Sequence, residues 1–142
     1  MMKNRKYGLH QAVLAGMMLF AAGSASAAEP FDGKSNFICA AQGVSACVDG
    51  AVCSRGQARD FEMPDFMMVD FKDKVIRAFY DADKEATSSI KNMEASGSQL
   101  ILQGVENDHG WSMAVHRESG RMSVGVAGHE VSFTIFGACK VL

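Results

Sequence analysis

Four cysteines carry the most defined chemistry in this 142-residue chain, and their spacing distinguishes a metal site from a redox centre or from disulfides. They are Cys39, Cys47, Cys53 and Cys139. Zinc sites and redox dithiols usually contain a C-x-x-C pair, which this sequence lacks, and its histidines are not grouped with the cysteines. We therefore predict structural disulfides and no metal centre.

The cysteine spacing favours one of the three possible pairings. The segment between Cys47 and Cys53 includes Asp49-Gly50, a turn sequence, so these two cysteines can pair locally. Cys39 and Cys139 then form the second disulfide. An even number of cysteines in a small domain is typical of exported proteins, whose thiols oxidise.

The N-terminus has the three parts of a secretory signal peptide, predicted as residues 1–28. The first residues are basic, residues 12–22 are uncharged and mostly apolar, and residues 24–28 are small. We expect cleavage near Ala27 or Ala28 and a periplasmic location. The apolar run is shorter than the roughly 20 residues that span a bilayer, so no transmembrane segment is expected.

The charge distribution argues against a nucleic-acid partner. Three of the 14 Lys and Arg residues lie in residues 1–28 and all 16 acids lie beyond, which leaves 11 basic residues and a net charge of −5 for the rest. An acidic domain releases few phosphate counterions and binds nucleic acid poorly. A basic partner suits this charge better.

Period-two alternation of apolar and polar residues, interrupted by turn sequences, predicts an all-β domain over residues 37–142. A polar segment, 29–36, is predicted as a flexible lead-in. Residues 43–64 show the weakest pattern, with the small cysteine loop and a short helix at 57–61. The eight predicted strands are 37–41, 66–71, 74–80, 88–94, 99–105, 111–117, 121–127 and 131–136.

Eight strands in meander order predict a small antiparallel barrel, with a two-sheet β-sandwich as the alternative. In such a barrel the first strand starts where the eighth finishes, so Cys39 and Cys139 meet at one rim. A barrel of this size is filled by side chains or holds one small ligand. The inward Met, Val, Phe, Leu and Trp residues predict a plain core. Trp111 is expected to anchor it, with a solvent-facing partner hot spot as the alternative.

The same topology gathers charged turns at the opposite rim. Eight residues of these turns form a surface that we call the acidic rim. We predict that it contacts a cation or a basic protein, although polar residues are common in turns of any kind. The acidic rim consists of Asp81, Asp83, Glu85, Glu106, Asp108, His109, His129 and Glu130.

Catalytic motifs are missing from the sequence. It contains no G-x-S-x-G elbow, no G-x-G-x-x-G loop and no P-loop, and paired disulfides leave no thiolate nucleophile. We therefore expect no enzyme activity and no cofactor.

The segment from Leu102 to Met113, the framing by Cys39 and Cys139, and the closing Phe136-Gly137-Ala138-Cys139 resemble a group of small exported proteobacterial β-proteins without an assigned function. The resemblance implies export and a β-domain, and it brings no activity with it. In architecture the predicted barrel is similar to calycins and to periplasmic lysozyme inhibitors.

Together these features predict a monomeric, non-enzymatic periplasmic module that contacts a protein or an envelope component through the acidic rim. One alternative is a carrier that holds a small apolar ligand inside the barrel. Another is a protein similar to the lysozyme inhibitors, for which a basic lysozyme is one example of a partner. An enlarged internal cavity would favour the carrier, whereas a filled core would favour the interaction module.

Overall fold

Antiparallel strands make up most of the structure, a computed structural model that describes residues 29–49, 52–81 and 83–142. The predicted signal peptide, residues 1–28, lies outside this described part. A 3-10 helix spans Ala58–Phe61, and none of the described helices is long and apolar enough to cross a membrane. The strands are β1 (Phe37–Val48), β2 (Val52–Gly56), β3 (Phe66–Asp70), β4 (Val75–Phe79), β5 (Glu85–Ser96), β6 (Gln99–Glu106), β7 (His109–His116), β8 (Arg121–Ala127) and β9 (Val131–Val141).

Strands β1 and β3 to β9 form a closed eight-stranded antiparallel barrel. Each strand pairs with the next in the meander, and β1 pairs with β9 to close the ring. The predicted barrel is thereby confirmed, and the alternative sandwich is not what the chain forms. Strand β2 pairs with the second half of β1 as a ninth strand outside the ring.

The predicted first strand, 37–41, is too short, and the predicted cysteine loop is part of a hairpin. The register of β1 shifts between Ala41 and Gly43, which interrupts the alternation, and the strand then continues to Val48. Strand β2 escaped prediction because its side chains are mostly exposed and leave no buried face to detect. The short helix predicted at 57–61 is present as the 3-10 turn.

The last strand also extends beyond its predicted end at Phe136. It continues to Val141 and places Cys139 within the strand and not after it. Gly137 makes this possible, because a Cβ there would lie 2.1 Å from the Ala40 carbonyl oxygen of the neighbouring strand β1.

Both disulfides join residues that lie directly opposite each other in paired strands. Cys39 in β1 is bonded to Cys139 in β9, which fastens the two strands that close the barrel. Cys47 and Cys53 fasten the β1–β2 hairpin. This is the pairing that the sequence favours, and it leaves no cysteine free.

The two ends of the barrel differ. The lower end is the one at which β1 starts and β9 finishes, and the upper end carries the turns after β4, β6 and β8. Inward side chains fill the lower half of the barrel, so the hydrophobic core lies there. Its most deeply buried members include Phe37, Val69, Leu100, Leu102 and Val115.

The segment 29–36, predicted as a lead-in, is packed against the lower end through Phe31. Phe31 is only 4% exposed and its ring packs edge-on against Phe37, with the centroids 5.3 Å apart. The backbone N–H of Phe31 donates to the Arg117 carbonyl at 3.2 Å. Gly120, which has a positive φ, leaves room for Phe31, since a Cβ there would lie 2.5 Å from the phenyl ring. A single apolar residue in a polar segment gives no periodic signal, and sequence reasoning missed it.

Candidate functional site

A cavity of about 410 Å³ occupies the upper half of the barrel. It reaches the surface at the upper end, where the exposed residues Glu62 and Asn107 are part of its lining. This volume lies within the roughly 300–1,000 Å³ that is usual for small-molecule sites. Its floor is apolar and consists of Met67, Ile76, Met113, Val124 and Ile135.

The cavity exists because the upper parts of β4, β5 and β6 carry small residues on the inside. Ala78, Ala86 and Ser88 line it, and Gly104 lies beneath the ring of Trp111. In the lower parts of β5 and β6, the corresponding positions hold Ile90, Leu100 and Leu102. The predicted plain core is therefore correct for the lower half of the barrel and wrong for the upper half.

Trp111 forms part of the cavity wall and is held in place on two sides. Its indole Nε1–H donates to the Ser88 hydroxyl at 2.9 Å, which satisfies the one polar group of the ring. Gly104 on the neighbouring strand lies so close that a Cβ there would be 2.3 Å from the indole. The half-buried tryptophan is thus packed at the barrel wall and also faces the cavity.

Polar groups are concentrated at the mouth of the cavity. Tyr80, Glu62, Glu106 and His109 all line it. Burial raises the pKa of the Tyr80 phenol above its ordinary value of 10.0, and the Glu106 carboxylate adds to this increase. Tyr80 therefore stays protonated at neutral pH and can donate a hydrogen bond to a bound molecule.

His109 is oriented by the turns on either side of it. Its Nδ1–H donates to the Asn107 carbonyl at 2.7 Å. The ring also packs against Gly128, where a Cβ would lie 2.7 Å from the imidazole. The imidazole is held at the cavity mouth between the turns that follow β6 and β8.

The strand directions place all eight acidic-rim residues at the upper end, but only Glu106 and His109 line the cavity. Glu85 lies 3.8 Å from the Arg77 guanidinium, in an ion pair on the barrel wall. The other five are exposed residues of turns: Asp81, Asp83, Asp108, His129 and Glu130. Contact between this rim and a partner stays a prediction.

Some side chains of the acidic rim make contacts within the protein. The Asp81 carboxylate accepts from the N–H groups of Asp83 at 3.0 Å and Lys84 at 2.9 Å, which shapes the turn between β4 and β5. His129 Nε2 lies 3.6 Å from the Glu130 carboxylate. Across residues 29–49, 52–81 and 83–142, no three or more His, Cys, Asp or Glu side chains are arranged to hold a metal ion.

Sequence reasoning missed Tyr80, Glu62 and the cavity itself. A signal was present in the small inward residues Ala78, Ala86 and Ser88. Ala78 and Ala86 are paired across β4 and β5, and Ser88 is the next inward residue of β5. Strand alternation shows which residues face inward, but the unfilled volume depends on how the strands curve around them.

No protein family model matches the chain, and no curated protein or solved structure matches it either. The resemblance to exported proteobacterial proteins therefore stays a prediction. The function has to be argued from the cavity and its lining.

Proposed function

We propose that this protein is an exported, non-enzymatic carrier that binds a small apolar ligand in the upper half of its barrel. The cavity supports this proposal, because a filled barrel would have left no space for a ligand. Its floor of Met, Ile and Val side chains offers apolar contact, and its charged groups stand at the mouth. Apolar walls with a few polar groups are the usual composition of a small-molecule site.

The disulfides support the export part of the proposal. Two disulfides are consistent with an oxidising compartment outside the cytoplasm, as the predicted signal peptide also suggests. We therefore place the proposed carrier in the periplasm.

The test is a fluorescence titration of the oxidised protein with N-phenyl-1-naphthylamine, a neutral apolar probe. Trp111 is the single tryptophan of the chain and lines the cavity, so its emission reports on the site. We expect saturable quenching of Trp111 with one probe per protein, and native mass spectrometry should show the same stoichiometry. A linear, non-saturating response together with no complex in the mass spectrum would exclude the carrier function.

The acidic rim remains a second candidate, a contact surface for a basic protein. The observation in its favour is that Asp83, Asp108 and Glu130 are all exposed on turns at the same end of the barrel. Like-signed charges on one surface attract an oppositely charged partner and raise its rate of association.

Reversal of these three charges to lysine should weaken capture of a basic partner by roughly tenfold or more, because it turns attraction during association into repulsion. Capture from periplasmic extract by the oxidised protein, followed by binding kinetics for the recovered partner, provides the measurement. The control is charge reversal of Asp73, Glu94 and Glu118, which are exposed at the lower half of the barrel. Equal capture by both triple variants would refute the rim contact.

A further inference from the structure

Two carboxylates stand at the mouth of the cavity. Glu62 and Glu106 line it, whereas no Lys or Arg among the described residues does. In the same part of the chain neither carboxylate lies within ion-pair distance of a basic side chain, although Asp70, Asp73 and Glu85 all lie near Arg77.

Aromatic rings line the same cavity. Phe61, Tyr80, Trp111 and Phe133 all line the cavity. The faces of such rings carry negative charge density and attract cations within about 6 Å of the ring centre. The Tyr80 ring already makes such a contact with the Lys84 ammonium, which lies 4.6 Å from its centroid.

We infer that the ligand of this cavity is an apolar cation, an amine or a quaternary ammonium compound with a hydrocarbon body. The inference rests on the proposed carrier function and specifies its ligand. The hydrocarbon part would lie over the apolar floor, and the positive group would lie at the mouth, among the two carboxylates and the aromatic rings. A fatty acid bound in the same way would bring a third carboxylate to this mouth.

The Lys84 ammonium lies over the Tyr80 ring and would compete there with the positive group of a ligand. Lys84 is exposed and does not line the cavity, so its flexible side chain can move into solvent when a ligand cation arrives. A single solvated ammonium also balances only one of the two carboxylates. The field at the mouth therefore favours positive charge.

Three ligands with the same ten-carbon chain test the sign of the charge: decyltrimethylammonium and decanoate, used well below their micelle-forming concentrations, and decanol, used below its solubility limit. Each is used to displace N-phenyl-1-naphthylamine from the oxidised protein. We expect the cation to bind about tenfold or more tighter than decanoate, with decanol between them. Each carboxylate at the mouth attracts the cation modestly and repels decanoate, so the two effects add. Tighter binding of decanoate or decanol than of the cation would overturn the inference.

The variant Glu62→Gln/Glu106→Gln separates the two proposals. It should remove most of the preference for the cation and leave the affinity for decanol within about twofold, since the apolar floor is unchanged. The matched control, Glu94→Gln/Glu118→Gln, removes the same charge far from the mouth and should keep the preference. An unchanged preference in the first variant would refute the role of the carboxylates. If decanol, the cation and the probe all fail to bind, the carrier function fails and this inference with it.

Discussion

Replacement of Cys39 and Cys139 by alanine should lower the free energy of unfolding by about 4–5 kcal/mol. The two cysteines are 100 residues apart in sequence, so their disulfide restricts the unfolded chain over almost the whole domain. In the chain-entropy description, the stabilisation increases with the length of the loop that is closed. The same disulfide joins β1 to β9, the pair of strands that closes the barrel.

Urea unfolding under non-reducing conditions, followed by the fluorescence of Trp111, measures this loss. The matched control is Cys47→Ala/Cys53→Ala, which removes a disulfide between residues only six apart. The same relation gives about 2 kcal/mol for so short a loop. Strand β2 also lies outside the closed ring, so loss of the disulfide that links it to β1 leaves the barrel itself closed.

The comparison between the two variants decides the outcome. A Cys39→Ala/Cys139→Ala protein that is unfolded in buffer, beside a folded control, also meets the expectation. An equal or smaller loss than that of the control would show that strand pairing, and not the covalent link, holds the barrel closed.

The sequence was informative wherever one side of a strand is buried and the other faces solvent. Strand β8 has its predicted bounds, 121–127, because Met122 and Val124 alternate with more exposed residues. The closure of the barrel could be inferred from Cys39 and Cys139, since a covalent link between the first and last strands requires them to be adjacent. The alternation within strands and the Cys39–Cys139 disulfide were together enough to predict the fold.

Features that depend on packing between distant segments could not be predicted in this way. Phe31 lies in the core because Gly120, 89 positions further along the chain, leaves space for its ring. Similarly, the Trp111 ring fits at the cavity wall only because Gly104 is its partner on the neighbouring strand. Neither glycine differs in the sequence from one that simply belongs to a turn.

The candidate site was predicted only in part, and for the same reason. Strand parity places Glu106 and His109 at the correct end of the barrel, where they line the mouth. The volume behind them depends on Ala78 and Ala86, which face each other across β4 and β5. Small residues in a strand pattern are usually read as weak strand positions, whereas here they leave the space that a ligand needs.

Filling this space should abolish ligand binding. In the variant Ala78→Phe, a phenyl ring enters the cavity from β4, where Ala78 is a lining residue. Because the ring occupies the volume that the ligand would use, we expect the affinity for N-phenyl-1-naphthylamine to fall by at least about 100-fold, or roughly 2.8 kcal/mol. Overpacking a filled core usually costs about 1–3 kcal/mol of stability, and the open cavity should keep the loss at or below the low end of that range.

The control is Ala114→Phe, which adds the same ring outside the cavity. Ala114 lies in the middle of β7 between the buried Met113 and Val115, so strand alternation places its side chain on the outer face. Probe titration and urea unfolding of both variants separate a blocked site from a damaged fold. If Ala78→Phe does not fold, Ala86→Phe adds the ring from the directly paired position on β5. A folded variant of either kind that still binds the probe with unchanged affinity would show that the ligand does not enter the barrel.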